Sequence, residues 1–109
     1  MKGQVEVKEI ELEEAKRISL EQDKKFVWLG GPTRVSIPEI LEISDTKILS
    51  IEPGEITHFD QQTLGMLDGF IFVCPHGRTS FAIAKYLKSK NMEAYSLKGG
   101  VAAIVGENY

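Results

Sequence analysis

The chain has 109 residues, 42% hydrophobic and 27% charged, enough for one domain with a single core. A formal net charge of −3 argues against nucleic-acid binding and against a polybasic membrane surface, both of which need a basic face. One cysteine excludes an internal disulfide, and Cys74 with His58 and His76 gives no zinc-ligand spacing, so neither a metal nor another cofactor is expected.

The first predicted element is a short strand over residues 4–9, where Val5 and Val7 alternate with polar neighbours. No signal-peptide core is visible near Met1, and no apolar run approaches the roughly 18 residues of a membrane span, so a cytoplasmic location is expected. Leu12, Ala15 and Ile18 or Ser19 then mark one stripe of a helix, with Glu11, Glu13 and Glu14 at the end where the helix dipole favours acids. Glu21 to Lys25 reads as a solvated connection, and Phe26-Val27-Trp28-Leu29 as a buried strand stopped by Gly30-Gly31-Pro32. That Gly-Gly-Pro run is a turn, since no Gly-Lys-Ser/Thr follows to make a phosphate loop.

Between residues 35 and 69 the patterns are weaker. Ile37 to Ile43 alternates enough for an edge strand limited by Pro38, and Lys47 to Ile51 is a second strand, ended by a turn at Glu52-Pro53-Gly54-Glu55. Asp60 is placed to cap a short helix through Leu64 and Leu67, and His58 reads as an ordinary loop histidine.

Phe70-Ile71-Phe72-Val73 is a second buried strand, which runs directly into Cys74-Pro75-His76-Gly77-Arg78-Thr79-Ser80. A helix is predicted from Thr79 or Ser80, its apolar side formed by Phe81, Ala84 and Leu87 with Ile83 and Tyr86. Lys85, Lys88 and Lys90 crowd its far end, where Asn91 suits a left-handed cap. Residues 93–97 form a last strand, parallel to the strand before Cys74 because a helix crosses between them. The whole is an α/β domain of three layers: helices on both faces of a mostly parallel sheet of about five strands.

The cysteine loop draws the chemical argument. The first amides of a helix lack internal partners and carry the positive end of the dipole, so they favour an anion in front of them, and a thiolate is such an anion. A single cysteine ending an apolar strand is otherwise an inert core residue, and the Pro-His-Gly-Arg-Thr-Ser loop is what sets this one apart. Phosphate-ester hydrolysis by a Cys-five-residues-Arg signature requires a guanidinium where Ser80 stands. Self-contained dithiol chemistry requires a second cysteine.

The Cys74 to Ser80 loop, set between a buried strand and a helix, resembles the active-site loop of rhodanese-like sulfurtransferase domains. Residues 94–101, with the Gly99-Gly100 pair, resemble the closing strand and turn of the same family. The resemblance implies a rhodanese-like fold over residues 1–109, and Cys74 as nucleophile and persulfide carrier. It implies that the amides from His76 to Ser80 cradle the sulfur. Gly77 supplies the backbone turn, Arg78 and His76 attract an anionic donor, and the Thr79 and Ser80 hydroxyls either donate to the sulfur or cap the helix. Implied partners are an anionic sulfur donor, such as thiosulfate or a protein persulfide, and a thiophilic acceptor: cyanide, a thiol or a thioredoxin-like protein. Trp28 and Gly30 occupy positions where the family usually places an Asp and an Arg that brace the site. That departure keeps open a second reading, a binding or regulatory module whose cysteine is incidental; Arg34, a few residues on, is a candidate substitute cation.

Overall fold

A computed structural model describes residues 6–106, and of the predicted first strand Gln4 and Val5 lie outside them. Among the described residues every strand is three residues long and every pairing is parallel. β1 (Lys8–Ile10), β2 (Phe26–Trp28), β3 (Ile48–Ser50), β4 (Ile71–Val73) and β5 (Tyr95–Leu97) form one sheet in the order β1-β5-β4-β2-β3. β4 is therefore central, paired with β2 through Phe26↔Ile71 and with β5 through Ile71↔Tyr95. From β2 the chain moves outward to β3, and from β4 it moves the other way to β5. The strand order thus reverses between β2 and β4, at the place where open α/β sheets put their sites.

Alternation along the strands divides the core in two. Phe26, Trp28, Ile71, Val73 and Leu97 face one side, covered by α1 (Leu12–Gln22) through Ala15 and Ile18 and by α2 (Ile37–Leu41) through Ile37 and Leu41. Val27, Leu29, Phe72 and Cys74 face the other. That side is covered by α3 (Pro53–Ile56), α4 (Gln61–Gly65) and α5 (Arg78–Ser89), which contribute Ile56, Leu64, Ile83, Ala84 and Leu87. A last short helix, α6 (Ala102–Val105), follows the glycine pair. Among the described residues no helix is long and apolar enough to cross a membrane.

Several elements differ from the sequence expectation. Residues 37–41 are helix α2 where an edge strand was expected. Ser36 Oγ accepts a hydrogen bond from the Glu39 amide and Pro38 stands in the first turn, where its missing N–H is no loss. The Pro53-Gly54 turn likewise opens the one-turn helix α3, and the first strand lies at Lys8–Ile10. Helix α1 runs on to Gln22, taking in the start of the presumed connection, and ends at Asp23 with φ of 56°. In α5 the buried stripe is Ser80, Ile83, Ala84 and Leu87, spaced i, i+3, i+4, i+7; Phe81 sits one step around the helix and is 37% exposed. The Asp60 cap forms as expected, with Asp60 Oδ1 accepting from the Thr63 amide at 2.8 Å. That bond holds the Asp60 carboxyl below its ordinary value. Asn91 adopts φ of 67°.

Candidate active site

The cysteine follows β4, whose three residues are buried on both faces, and so stands at the carboxyl end of the central strand. Gly77 takes φ of 89° and ψ of −1° and serves as N-cap of α5, which begins at Arg78, a residue or two earlier than expected. A glycine cap has no side chain to satisfy the amide three residues on. Cys74 Sγ fills that role: it accepts from the Ser80 amide at 3.2 Å and from the Gly77 amide at 3.1 Å. The sulfur therefore occupies the acceptor position of a helix cap, where the helix dipole and two fixed N–H groups favour negative charge. Ser80 Oγ lies 3.4 Å from the same sulfur.

A second turn supports the loop. The Val101 amide donates to Cys74 O at 3.1 Å and the Ala102 amide to Pro75 O at 2.9 Å. Gly100, at φ of +67°, lies so close to the loop that a Cβ there would overlap Cys74 O and both carbonyl atoms of Pro75. At Gly77 a Cβ would press on Gly99 N at 3.0 Å. The two glycine-bearing turns are thus in backbone contact, and neither tolerates a side chain at the meeting point.

Of the residues singled out from sequence, the structure brings Cys74, Gly77 and Ser80 together, all buried. His76, Arg78 and Thr79 are exposed around the loop. Among the described residues neither the Arg78 nor the Thr79 amide donates to the sulfur, so the cradle is narrower than the expected run of amides. Ser80 is the third residue of α5 and its hydroxyl contacts sulfur instead of capping the helix. Ser96 on β5, fully buried and 2.7 Å from Ser80 Oγ, escaped the sequence reading. Its one signal was a serine set inside an otherwise apolar strand.

Neither Trp28 nor Gly30 supplies the charged brace that the resemblance leads one to expect. Trp28 belongs to the core cluster on the opposite side of the sheet from Cys74, only 3% exposed, and its indole N–H donates to Gly31 O at 2.7 Å. The ring lies over Gly30 so tightly that a Cβ on that residue would overlap it. Arg34 is exposed and, among the described residues, makes no hydrogen bond to the cysteine loop. Beside this closure runs a groove of about 590 Å³ lined by Leu29, Gly31, Pro32, Ile51, Glu52 and Pro53, with no residue of the cysteine loop in its wall. Cys74 itself is 1% exposed. No cluster of three or more His, Cys, Asp or Glu side chains suited to a metal ion occurs among the described residues.

No protein-family model and no curated protein sequence matches the chain. Solved structures do. A rhodanese homologue from the extremely thermophilic bacterium Thermus thermophilus superposes with a TM-score of 0.60 over 86% of this chain and 96% of its own length, at 24% identity. The fold is rhodanese-like. Reduced CoADR-RHD from Bacillus anthracis gives a TM-score of 0.64 at 16% identity over 93% of this chain. An NAD-dependent persulfide reductase from A. fulgidus gives 0.58 at 21% identity over 88%. This chain spans only 17% and 15% of those two longer proteins, so the rhodanese-like fold matches one portion of each.

Proposed function

We propose that residues 1–109 form one rhodanese-like domain that transfers sulfur through a persulfide on Cys74. The observation that carries this reading is the convergence of the Gly77 and Ser80 amides on Cys74 Sγ at 3.1 and 3.2 Å, a cradle suited to an anionic sulfur. In the first step the thiolate attacks the sulfane sulfur of a donor such as thiosulfate. An Sγ–S bond forms, the donor's S–S bond breaks, and sulfite departs with the electron pair. A protein persulfide serves the same purpose, its cysteine thiolate being the leaving group. In the second step a thiophilic acceptor, whether cyanide, a thiol or a thioredoxin-like protein, takes the terminal sulfur and Cys74 regains the electron pair. The cycle needs one cysteine and no outside oxidant or reductant.

Around the sulfur, Arg78 and His76 draw the anionic donor to an otherwise acidic protein, while Gly77 gives the loop its turn. Thr79 lines the rim and Ser80 contributes both amide and hydroxyl. The cytoplasm, where a lone thiol stays reduced, is the compartment this chemistry fits. One observation favours a second reading, a binding or regulatory module: Cys74 is 1% exposed and its surroundings include the apolar cluster of Phe72, Ile83 and Ala84.

Intact-mass measurement separates the two. With thiosulfate, polysulfide or a cysteine-desulfurase donor, the wild-type chain gains the mass of one sulfur atom and Cys74→Ala gains none. A wild-type chain that stays unmodified by all three donors is a binding module.

A further inference from the structure

Nothing in the sulfur-transfer scheme calls on Ser96, yet it is fully buried beside the site. On β5 it points to the α5 side of the sheet, and its hydroxyl lies 2.7 Å from that of Ser80. The Cys74 thiol donates to Ser80 Oγ at 3.4 Å, so three elements contribute to one chain of polar atoms: Ser96 Oγ, Ser80 Oγ, Cys74 Sγ. Among the described residues Ser80 is the sole hydrogen-bond partner of the Ser96 side chain.

A hydroxyl has one proton to give and lone pairs to receive, so such a chain runs in one direction or the other. Directed at sulfur, Ser96 O–H donates to Ser80 Oγ and Ser80 O–H donates to Sγ. An anionic sulfur then accepts three hydrogen bonds, two from amides and one from a hydroxyl. In the other direction a protonated Sγ donates to Ser80 Oγ and Ser80 donates to Ser96 Oγ. The Ser96 proton is then buried without an acceptor, a costly arrangement. Loss of the thiol proton reverses the chain and gives each hydroxyl proton an acceptor, so the geometry stabilises the ionised sulfur once it forms. The ionisable side chains of the loop, His76 and Arg78, stand exposed, and the neighbours of Cys74 on α5 and β4, Ile83, Ala84 and Phe72, are apolar.

We propose that Ser96 is a positioning residue for Cys74: when the thiol proton leaves, Ser96 donates to Ser80 Oγ, aims the Ser80 proton at Sγ and so stabilises the anionic sulfur. That anion is the nucleophile when the donor is attacked and the leaving group when the acceptor takes the sulfur. The kinetic part of this inference rests on the sulfur-transfer reading, whereas the direction of the hydroxyl chain does not.

Two measurements on wild type, Ser96→Ala, Ser96→Thr and Ser80→Ala test it. The ultraviolet absorption band of the thiolate, read at neutral pH against Cys74→Ala as blank, reports the charge on sulfur without any donor. Single-turnover loading from thiosulfate gives the rate at saturation and the half-saturating concentration. Ser96→Ala is expected to lower the thiolate-to-thiol ratio and the saturating rate about tenfold, the consequence of losing one hydrogen bond in a chain to a charged group. The half-saturating concentration stays unchanged. Ser96→Thr keeps the hydroxyl and restores both quantities, and Ser80→Ala, which cuts the chain nearer the sulfur, loses at least as much as Ser96→Ala. A wild-type band in either alanine variant overturns the proposal, as does a threonine variant as impaired as the alanine one. A wild-type band that falls in Ser96→Ala, in a protein that loads from no donor, upholds the hydroxyl chain while removing the sulfurtransferase reading.

Discussion

The two central strands of the sheet end side by side and are finished in opposite ways. After β2 the chain closes with an apolar plug, the Trp28 indole lying over Gly30 and tied to Gly31 O at 2.7 Å. After β4 it closes with polar groups that turn inward, the Gly77 and Ser80 amides meeting on Cys74 Sγ. Trp28 and Cys74 are both buried, and both endings use glycine to let one part of the chain approach another. What differs is what the approach leaves behind: a filled volume in the first case, and in the second a position where negative charge finds donors already in place. The comparison teaches that backbone contact alone can support much of the cysteine loop, because the Gly99-Gly100 turn reaches the loop backbone directly.

The largest effect expected is on the apolar ending. Trp28→Ala removes a buried indole and lowers stability by about 3–5 kcal/mol, measured by chemical denaturation. Since the ring lies across the sheet from the sulfur, the folded fraction should still load sulfur on Cys74 at the wild-type rate. A specific loss of loading in folded protein would dissolve the distinction between the two endings. Next comes Gly100→Ala, which drives a methyl group into Cys74 O and the Pro75 carbonyl at a backbone angle that disfavours any side chain. It should cost about 3 kcal/mol and, unlike the tryptophan variant, abolish loading in molecules that remain folded.

Arg78→Ala is expected to be milder. It raises the half-saturating thiosulfate concentration roughly threefold and leaves the rate at saturation unchanged, an effect that fades with added salt. The smallest effect lies away from both endings. The hydrogen bond from the Thr63 amide holds the Asp60 carboxyl below its ordinary value. A depressed folded-state value means that this cap stabilises the fold above the unfolded value and is lost as pH falls through the folded one. Asp60→Asn should therefore leave a thermal midpoint with a slightly shallower acid slope below about pH 4, and a wild-type slope would show that the cap is uncoupled from folding.

How much of this was legible depended on how many residues carried each signal. Four apolar residues before Cys74, a loop of Pro, Gly and polar groups, and an apolar helix stripe all agree, so β4, the loop and α5 could be read in order. The middle of the chain could not. Ser36 and Pro38 are equally the start of a helix and the limit of a strand, and a helix of five residues is too short for its periodicity to decide. Phe81 misled because aromatic residues are expected inside, whereas the i, i+3, i+4, i+7 stripe begins at the small polar Ser80. Ser80 lies inward because its hydroxyl finds Ser96, a pairing across 16 positions that no local pattern records. Trp28 and Gly30 could be recognised as replacing a charged pair, but only the fold shows that one leans on the other.

The bonds from Val101 and Ala102 to the loop carbonyls bear on when the site exists. A ribosome makes Cys74 well before Gly100, so the growing chain carries its thiol for a time with the second of its two supporting turns still unmade. Only when the last strand and its glycine pair have emerged is the carbonyl side of the loop fixed. The setting of this cysteine is thus completed late in synthesis, and a ribosome stalled short of Gly99 would display the residue without it.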